Sequence, residues 1–203
     1  MKLYYTPGVC SLASHIALRE AGIAFQPVLV NLKTHQLEDG SDYYAINPKG
    51  YVPLLELDTG ERLTEGPAIL QYIADLAPNK NLAPANGTLP RYRLQEWLTF
   101  IGTEIHKSYS PMFKPNTPEE YKDTLRQNLA RRYAWLDAQL AERQYLLGEH
   151  FGVADAYLFT VSRWASPMKV DLTSLANVSA YLERVGSRAG VKEALKVEGL
   201  LKQ

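Results

Sequence analysis

Cys10 is the chain's single cysteine, and its setting, Thr6-Pro7-Gly8-Val9-Cys10-Ser11, places it after a short strand and a Pro-Gly turn at the first residues of a helix. Free N–H groups and the dipole at a helix start favour thiolate over thiol, so Cys10 can be a reactive sulfur. The competing reading is an inert buried cysteine. Farther along, Asn47-Pro48-Lys49-Gly50-Tyr51-Val52-Pro53-Leu54-Leu55 runs into a strand. Val52 precedes Pro53 and is biased toward extended backbone, and an X-Pro bond is the kind that adopts cis cheaply. A cis Pro53 would turn the Val52 amide and carbonyl outward, where a peptide-like ligand could pair with them as an added strand. Glu65-Gly66 opens the next helix, where free N–H groups attract a carboxylate. These features together suit a small anionic peptide; a tight turn followed by a capped helix is the plainer alternative.

A second set of polar groups lies in the other half of the chain. From Arg91 to about Met112, Leu94, Trp97, Leu98, Ile101 and Ile105 form one apolar stripe. At roughly 100° per residue, Thr99, Thr103 and His106 share the other side of that helix.

The elements that position these residues follow from pattern. Lys2-Leu3-Tyr4-Tyr5 reads as a strand, Ser11 can cap a helix that stops at Gly22, and Phe25 to Leu32 reads as a second strand. His35 to Ala45 reads as a short helix or irregular segment. Strands at 54–57 and 62–64 flank an Asp58-Thr59-Gly60-Glu61 turn, which predicts a hairpin, and a helix follows from Glu65 to about Ala77. The first half is therefore βαβαββα, a mixed sheet with helices on it. Pro78 to Pro90 is rich in Pro and Asn and suits a linker. Beyond it every element reads as helix: 119–141 with Leu125, Leu129, Tyr133, Leu136 and Leu140 inward, Val153 to about Ser166, then 173–187 and 190–198. Asp155, three residues after Gly152, can accept the Gly152 N–H as half of a capping box, a structural role. The expected domains are 1–78, a linker at 79–89, and an all-helical 90–203.

Composition narrows the classes. The chain has 203 residues, with 22 Lys+Arg against 22 Asp+Glu, so no strong field for nucleic acid or an anionic membrane arises. No apolar run approaches the ~18 residues of a membrane span, and the N-terminus lacks a secretory h-region, so a cytoplasmic location is expected. With one cysteine no internal disulfide can form, and redox chemistry at Cys10 would need a thiol from outside the chain. Nucleotide-binding and metal-binding motifs are absent from the sequence, so no metal is expected.

The βαβ-then-hairpin order with Val52-Pro53 is the thioredoxin-like pattern, here without a second cysteine in Cys10-Ser11-Leu12-Ala13. Over nearly its whole length the sequence resembles the bacterial beta-class glutathione transferases, which join a thioredoxin-like domain to a helical one. The strings that carry the likeness are Lys2 to Tyr5 with Pro7 to Ser11, Asn47 to Pro53, Leu63 to Gly66, Thr103 to Lys107 and Val153 to Phe159. The resemblance implies that glutathione, as co-substrate, lies along Val52 beside Pro53, with its γ-glutamyl end at Glu65-Gly66 and its sulfur near Cys10 and His106. It further implies contacts at His35, Thr99, Thr103, Glu104 and Ile105, and makes Cys10 and His106 the catalytic pair. Position 35 is often Lys in such proteins, so His35 would exchange a fixed charge for one that titrates near neutrality, and glutathione affinity would weaken as pH rises from about 6 to 8.

The activity so implied is conjugation of reduced glutathione to hydrophobic electrophiles, alone or with thiol-disulfide exchange through Cys10, in a cytoplasmic homodimer. The acceptor would be lined by loop 6–10, Tyr109, Pro111, Met112, Phe113 and Trp164. A non-catalytic protein of the same fold that binds glutathione or hydrophobic ligands is the alternative.

Overall fold

In the computed structural model, which describes residues 1–201, the chain begins with β1 (Lys2–Tyr5), whose Leu3 and Tyr4 are buried. β1 pairs in parallel with β2 (Gln26–Asn31), and a parallel neighbour requires a crossover. That crossover is α1 (Ser11–Ala21), which buries Leu12, Ile16 and Leu18 and ends at Gly22, φ 68°, whose left-handed backbone suits glycine. On its other edge β1 pairs antiparallel with β4 (Leu54–Glu56), which forms the expected hairpin with β5 (Arg62–Thr64). A two-residue β3 (Gln36–Leu37) pairs antiparallel with β2, giving the sheet order β3-β2-β1-β4-β5. The segment read as short helix or irregular thus supplies an edge strand, followed by one 3₁₀ turn, Tyr43–Ala45, capped by Asp42. α2 (Gly66–Leu76) follows β5 and packs on α1. This is a thioredoxin-like mixed sheet.

Contacts divide the chain into two units, Met1–Leu82 together with Arg188 onward, and Ala83–Ser187. The sequence reading assigned everything from residue 90 to the helical part, but α8 (Ala189–Val197) packs on α1 and completes the first unit. Charged pairs hold it there: Arg188 reaches Glu20 at 2.6 Å and Glu193 accepts from Arg19 at 3.0 Å. Such long-range pairing leaves no periodic signal in either segment.

The second unit contains no strand among its described residues. α3 (Leu89–Phe100) starts at Thr88, which accepts from the Arg91 N–H, and carries Leu94, Trp97 and Leu98 inward. It continues without a break into a π-helical segment, Ile101–His106, then α4 (Lys107–Tyr109) and a 3₁₀ turn at Ser110–Phe113. α5 (Glu119–Leu140) buries Leu125, Leu129, Tyr133, Leu136 and Leu140, one stripe at helical spacing. α6 (Val153–Ser162) is buried on every side and ends four residues before the expected stop; α7 (Ala176–Gly186) packs against it.

Asp155 explains much of the order around α6. Its carboxylate accepts from the Gly152 N–H at 2.8 Å, the Leu146 N–H at 2.9 Å and the Tyr181 hydroxyl at 2.9 Å. The first bond is the capping contact that the spacing predicts; the others tie a loop and α7 to the same side chain. No helix among the described residues is long and apolar enough to cross a membrane.

Candidate active site

In the first unit Cys10 is the residue at which α1 begins, and its side chain is half-buried. The turn before it is fastened by Ser11, whose hydroxyl accepts from the Thr6 N–H and donates to the Thr6 carbonyl, both at 3.2 Å. Ser11 therefore does not cap α1, as its type suggested. It lies one residue inside the helix, where its hydroxyl reaches back across the turn. Thr6 in turn donates to the Val30 carbonyl at 2.6 Å, which anchors the loop to β2.

The Cys10 sulfur donates to the Val52 carbonyl oxygen at 3.1 Å. Burial pushes the thiol up to about 11, outweighing the backbone N–H groups of Cys10 and Ser11 that draw it down, and Glu65 adds to the rise. The helix start is present, but desolvation opposes it, and the sulfur donates to Val52 as a thiol.

Val52 itself is buried. The Val52-Pro53 bond is cis, and the β-ladder begins two residues later, where Leu54 pairs with Tyr4 and Thr64. Its approach is held by the Tyr51 carbonyl, which accepts from the Tyr43 hydroxyl and the Asn47 side-chain amide, each at 2.8 Å. Tyr43 and Asn47 are both buried. Tyr43 was not singled out from sequence; Asn47 was named as the start of the 47–55 stretch, but its hydrogen bond to Tyr51 was not foreseen.

Glu65 lies between β5 and α2 with φ 69° and ψ 112°, a conformation that favours glycine. Its carbonyl accepts from Ala68 and Ile69, and its carboxylate meets the Lys49 ammonium at 2.8 Å. Gly66 is the first residue of α2. His35 also has a positive φ, 52°, and its ring lies against Tyr44 with centroids 4.4 Å apart. Its Nδ1 is buried without a hydrogen-bond partner. Gly50 makes this packing possible, because a Cβ there would fall 2.6 Å from Tyr44 and 3.1 Å from His35.

In the second unit Thr99 and Thr103 are exposed, and the Thr103 hydroxyl donates to the Thr99 carbonyl at 3.0 Å. Glu104 pairs with Arg132 at 2.6 Å, and Ile105 is buried. His106 is half-buried, because the π-helical turn departs from the uniform 100° spacing and brings its ring against Tyr157 and Trp164. Its Nδ1 lies 2.6 Å from the Tyr157 hydroxyl. Burial, with a smaller contribution from Lys107, holds the imidazole down to about 4, so the ring is neutral at physiological pH. Tyr109, Phe113 and His106 all meet Trp164 edge-on, with centroids 5.7, 5.3 and 5.1 Å away. Of the residues expected to line an acceptor site, Phe113 is exposed, whereas Tyr109 and Met112 are buried and serve the core.

Residues 1–75 match the family described as glutathione S-transferase, N-terminal domain, and residues 100–189 its C-terminal domain. Glutathione S-transferase GstA of Escherichia coli O157:H7 is 48% identical over 200 residues, 98% of this chain and 100% of that protein. The chain belongs to the glutathione S-transferase family.

Within it the transferase is of the bacterial beta class. A Sphingomonas chungbukensis enzyme described as beta class superposes with a TM-score of 0.96 at 46% identity, covering 99% of this chain and 100% of that one. A ternary complex of BphK, a bacterial GST, matches with a TM-score of 0.97 at 52% identity, covering 98% of this chain and 100% of that one. Among the transferase's described residues no group of three or more His, Cys, Asp or Glu side chains could hold a metal ion.

A residue of the transferase that sequence reasoning missed is Glu198, just beyond α8. Its carboxylate accepts from the Gly8 N–H at 2.9 Å, two residues before Cys10, and meets His15 on α1 at 2.9 Å. Pairing this late carboxylate with that histidine required the fold.

Proposed function

We propose that the protein conjugates reduced glutathione to hydrophobic electrophiles. The observation that carries this reading is the lone thiol of Cys10 held on the Val52 carbonyl beside a cis-proline. A structure of a sphingomonad glutathione S-transferase complexed with glutathione, 46% identical with a TM-score of 0.95, supports the same ligand here. The glutathione cysteinyl backbone pairs with Val52, its γ-glutamyl end lies at Glu65-Gly66, and His35, Thr99, Thr103, Glu104 and Ile105 complete the contacts. Cys10 and His106 meet the glutathione sulfur.

The chemistry follows from what Val52 accepts. A cysteinyl N–H of glutathione arriving at the Val52 carbonyl replaces the Cys10 S–H as its donor. The released thiol then turns to the incoming sulfur and stabilises it as thiolate, joined by the helix start behind it. That thiolate forms a bond to the electrophilic carbon while the leaving group departs with the bond's electron pair; the thiol proton goes to solvent. The S–H of Cys10 supports this donor role, and thiol-disulfide exchange through Cys10 is a second activity of the same site. The protein acts as a cytoplasmic homodimer.

The test compares wild type with Cys10→Ala in conjugation of a model aryl halide and in reduction of a glutathione mixed disulfide, alongside mass spectra with and without reductant. Conjugation that weakens in the variant supports the donor role. Retention on immobilised glutathione with no turnover of either substrate by the wild type would show instead a binding protein.

A further inference from the structure

We infer that Tyr157 is a positioning residue for His106: its hydroxyl donates to Nδ1, so the ring carries its proton on Nε2 and meets the glutathione sulfur as a hydrogen-bond donor. This rests on the reading that the sulfur lies at His106.

The geometry is local to the second unit. Tyr157 is a core residue of α6, 4% exposed, yet its hydroxyl is turned onto the imidazole at 2.6 Å. The two rings stand edge-on, 5.7 Å apart at 85°, and Trp164 closes another side at 5.1 Å and 64°. The imidazole is thus confined by two aromatic rings and tethered through one nitrogen. A neutral imidazole carries one proton, and the hydrogen bond made at one nitrogen decides which of the two holds it. Phenol is a strong donor, while its oxygen is a poor acceptor because its lone pair is shared with the ring. An sp² imidazole nitrogen is the opposite, so O–H to Nδ1 is the better-matched pairing. Nε2, which has no protein partner among the described residues, then bears the hydrogen.

The tautomer decides what His106 can do. With Nδ1 occupied and Nε2 protonated, the neutral ring has no free lone pair with which to take the glutathione proton. It can stabilise a thiolate by donating to it, and it does not act as general base. The low affinity of this ring for a second proton is consistent with that assignment. The π-helical turn serves the same end, since it is the segment that delivers position 106 to Tyr157.

The experiment is ¹⁵N NMR of the histidine rings in the full-length protein at neutral pH, using His106→Asn for assignment, with and without glutathione, in wild type and Tyr157→Phe. The expected wild-type ring is the Nε2–H tautomer, with its Nε2 resonance moved by glutathione. Tyr157→Phe keeps the ring and its packing but yields a tautomer mixture. Its kcat/KM for glutathione should fall by roughly three- to tenfold, the loss of one neutral hydrogen bond, and the acid limb of its pH–rate profile should move to higher pH. An Nδ1–H ring in the wild type, or a Phe variant with unchanged tautomer and unchanged rate, overturns the inference whatever glutathione does. An Nε2–H ring that ignores glutathione overturns instead the placement of the sulfur at His106, and the donor role with it.

Discussion

His15 and Glu198 meet at 2.9 Å with neither side chain exposed to solvent, although 183 residues separate them along the chain. The same carboxylate holds the Gly8 N–H. One side chain therefore binds the end of the chain to α1 and to the turn that presents Cys10.

Glu198→Ala should be strongly destabilising. It leaves His15 Nδ1 buried and unpaired, which costs about 1–3 kcal/mol, and takes away one acceptor of the Gly8 N–H. Urea unfolding should show a lower midpoint with an unchanged slope, and a loss under about 1 kcal/mol would mean that the pair is dispensable.

The Cys10 thiol should alkylate slowly. With its ionisation pushed up to about 11, the thiolate fraction at neutral pH is on the order of a hundredfold below that of a free cysteine. Iodoacetamide rates in the ligand-free protein should keep rising through pH 10, and a plateau near the ordinary thiol value of about 8.5 would refute the buried-donor assignment.

Glu65→Gly should separate stability from binding. Relief of a left-handed backbone at φ 69° is worth about 1–3 kcal/mol, partly offset by the greater freedom of unfolded glycine. The lost Lys49 ion pair is largely exposed and worth little. The expected variant melts higher yet is retained less well on immobilised glutathione; a lower melting temperature would show that the conformation is not strained.

His106 should make the protein acid-sensitive in a defined window. Its folded value of about 4 lies below the 6.5 of an exposed histidine, so the unfolded chain takes up a proton first as pH falls. Stability present above about pH 6.5 is lost progressively toward pH 4, and this contribution changes no further below that. Denaturation midpoints for His106→Asn should vary less over that range than those of the wild type; parallel curves would rule the ring out.

Local pattern carried a large part of the fold. Gly22 stopping α1, the Asp58-to-Glu61 hairpin, the stripe on α5 and the Asp155 cap are all decided by residues within a few positions of one another. What pattern could not carry was set by distant partners or by competition between effects. Ser11 has a capping side chain, but the turn before it offered Thr6 a better use of the hydroxyl. The charge state of Cys10 depended on burial by the rest of the fold, which a helix-start argument leaves out. α8 joined the first unit through Arg188 and Glu20, 168 residues apart.

The turn at 101–106 was hidden for another reason, since π and α backbones draw on the same residue types. A π-helical turn accommodates one residue more than an α-helix would need for the same advance. A chain shortened by one residue within 101–106 could therefore run as an uninterrupted helix from Leu89 to Tyr109, with the faces on either side kept in phase. Shortening α3 by one residue elsewhere would rotate all that follows by about 100°. The surplus residue is thus the one position in this helix where a deletion leaves the core intact, and its expected cost falls on the meeting of His106 with Tyr157.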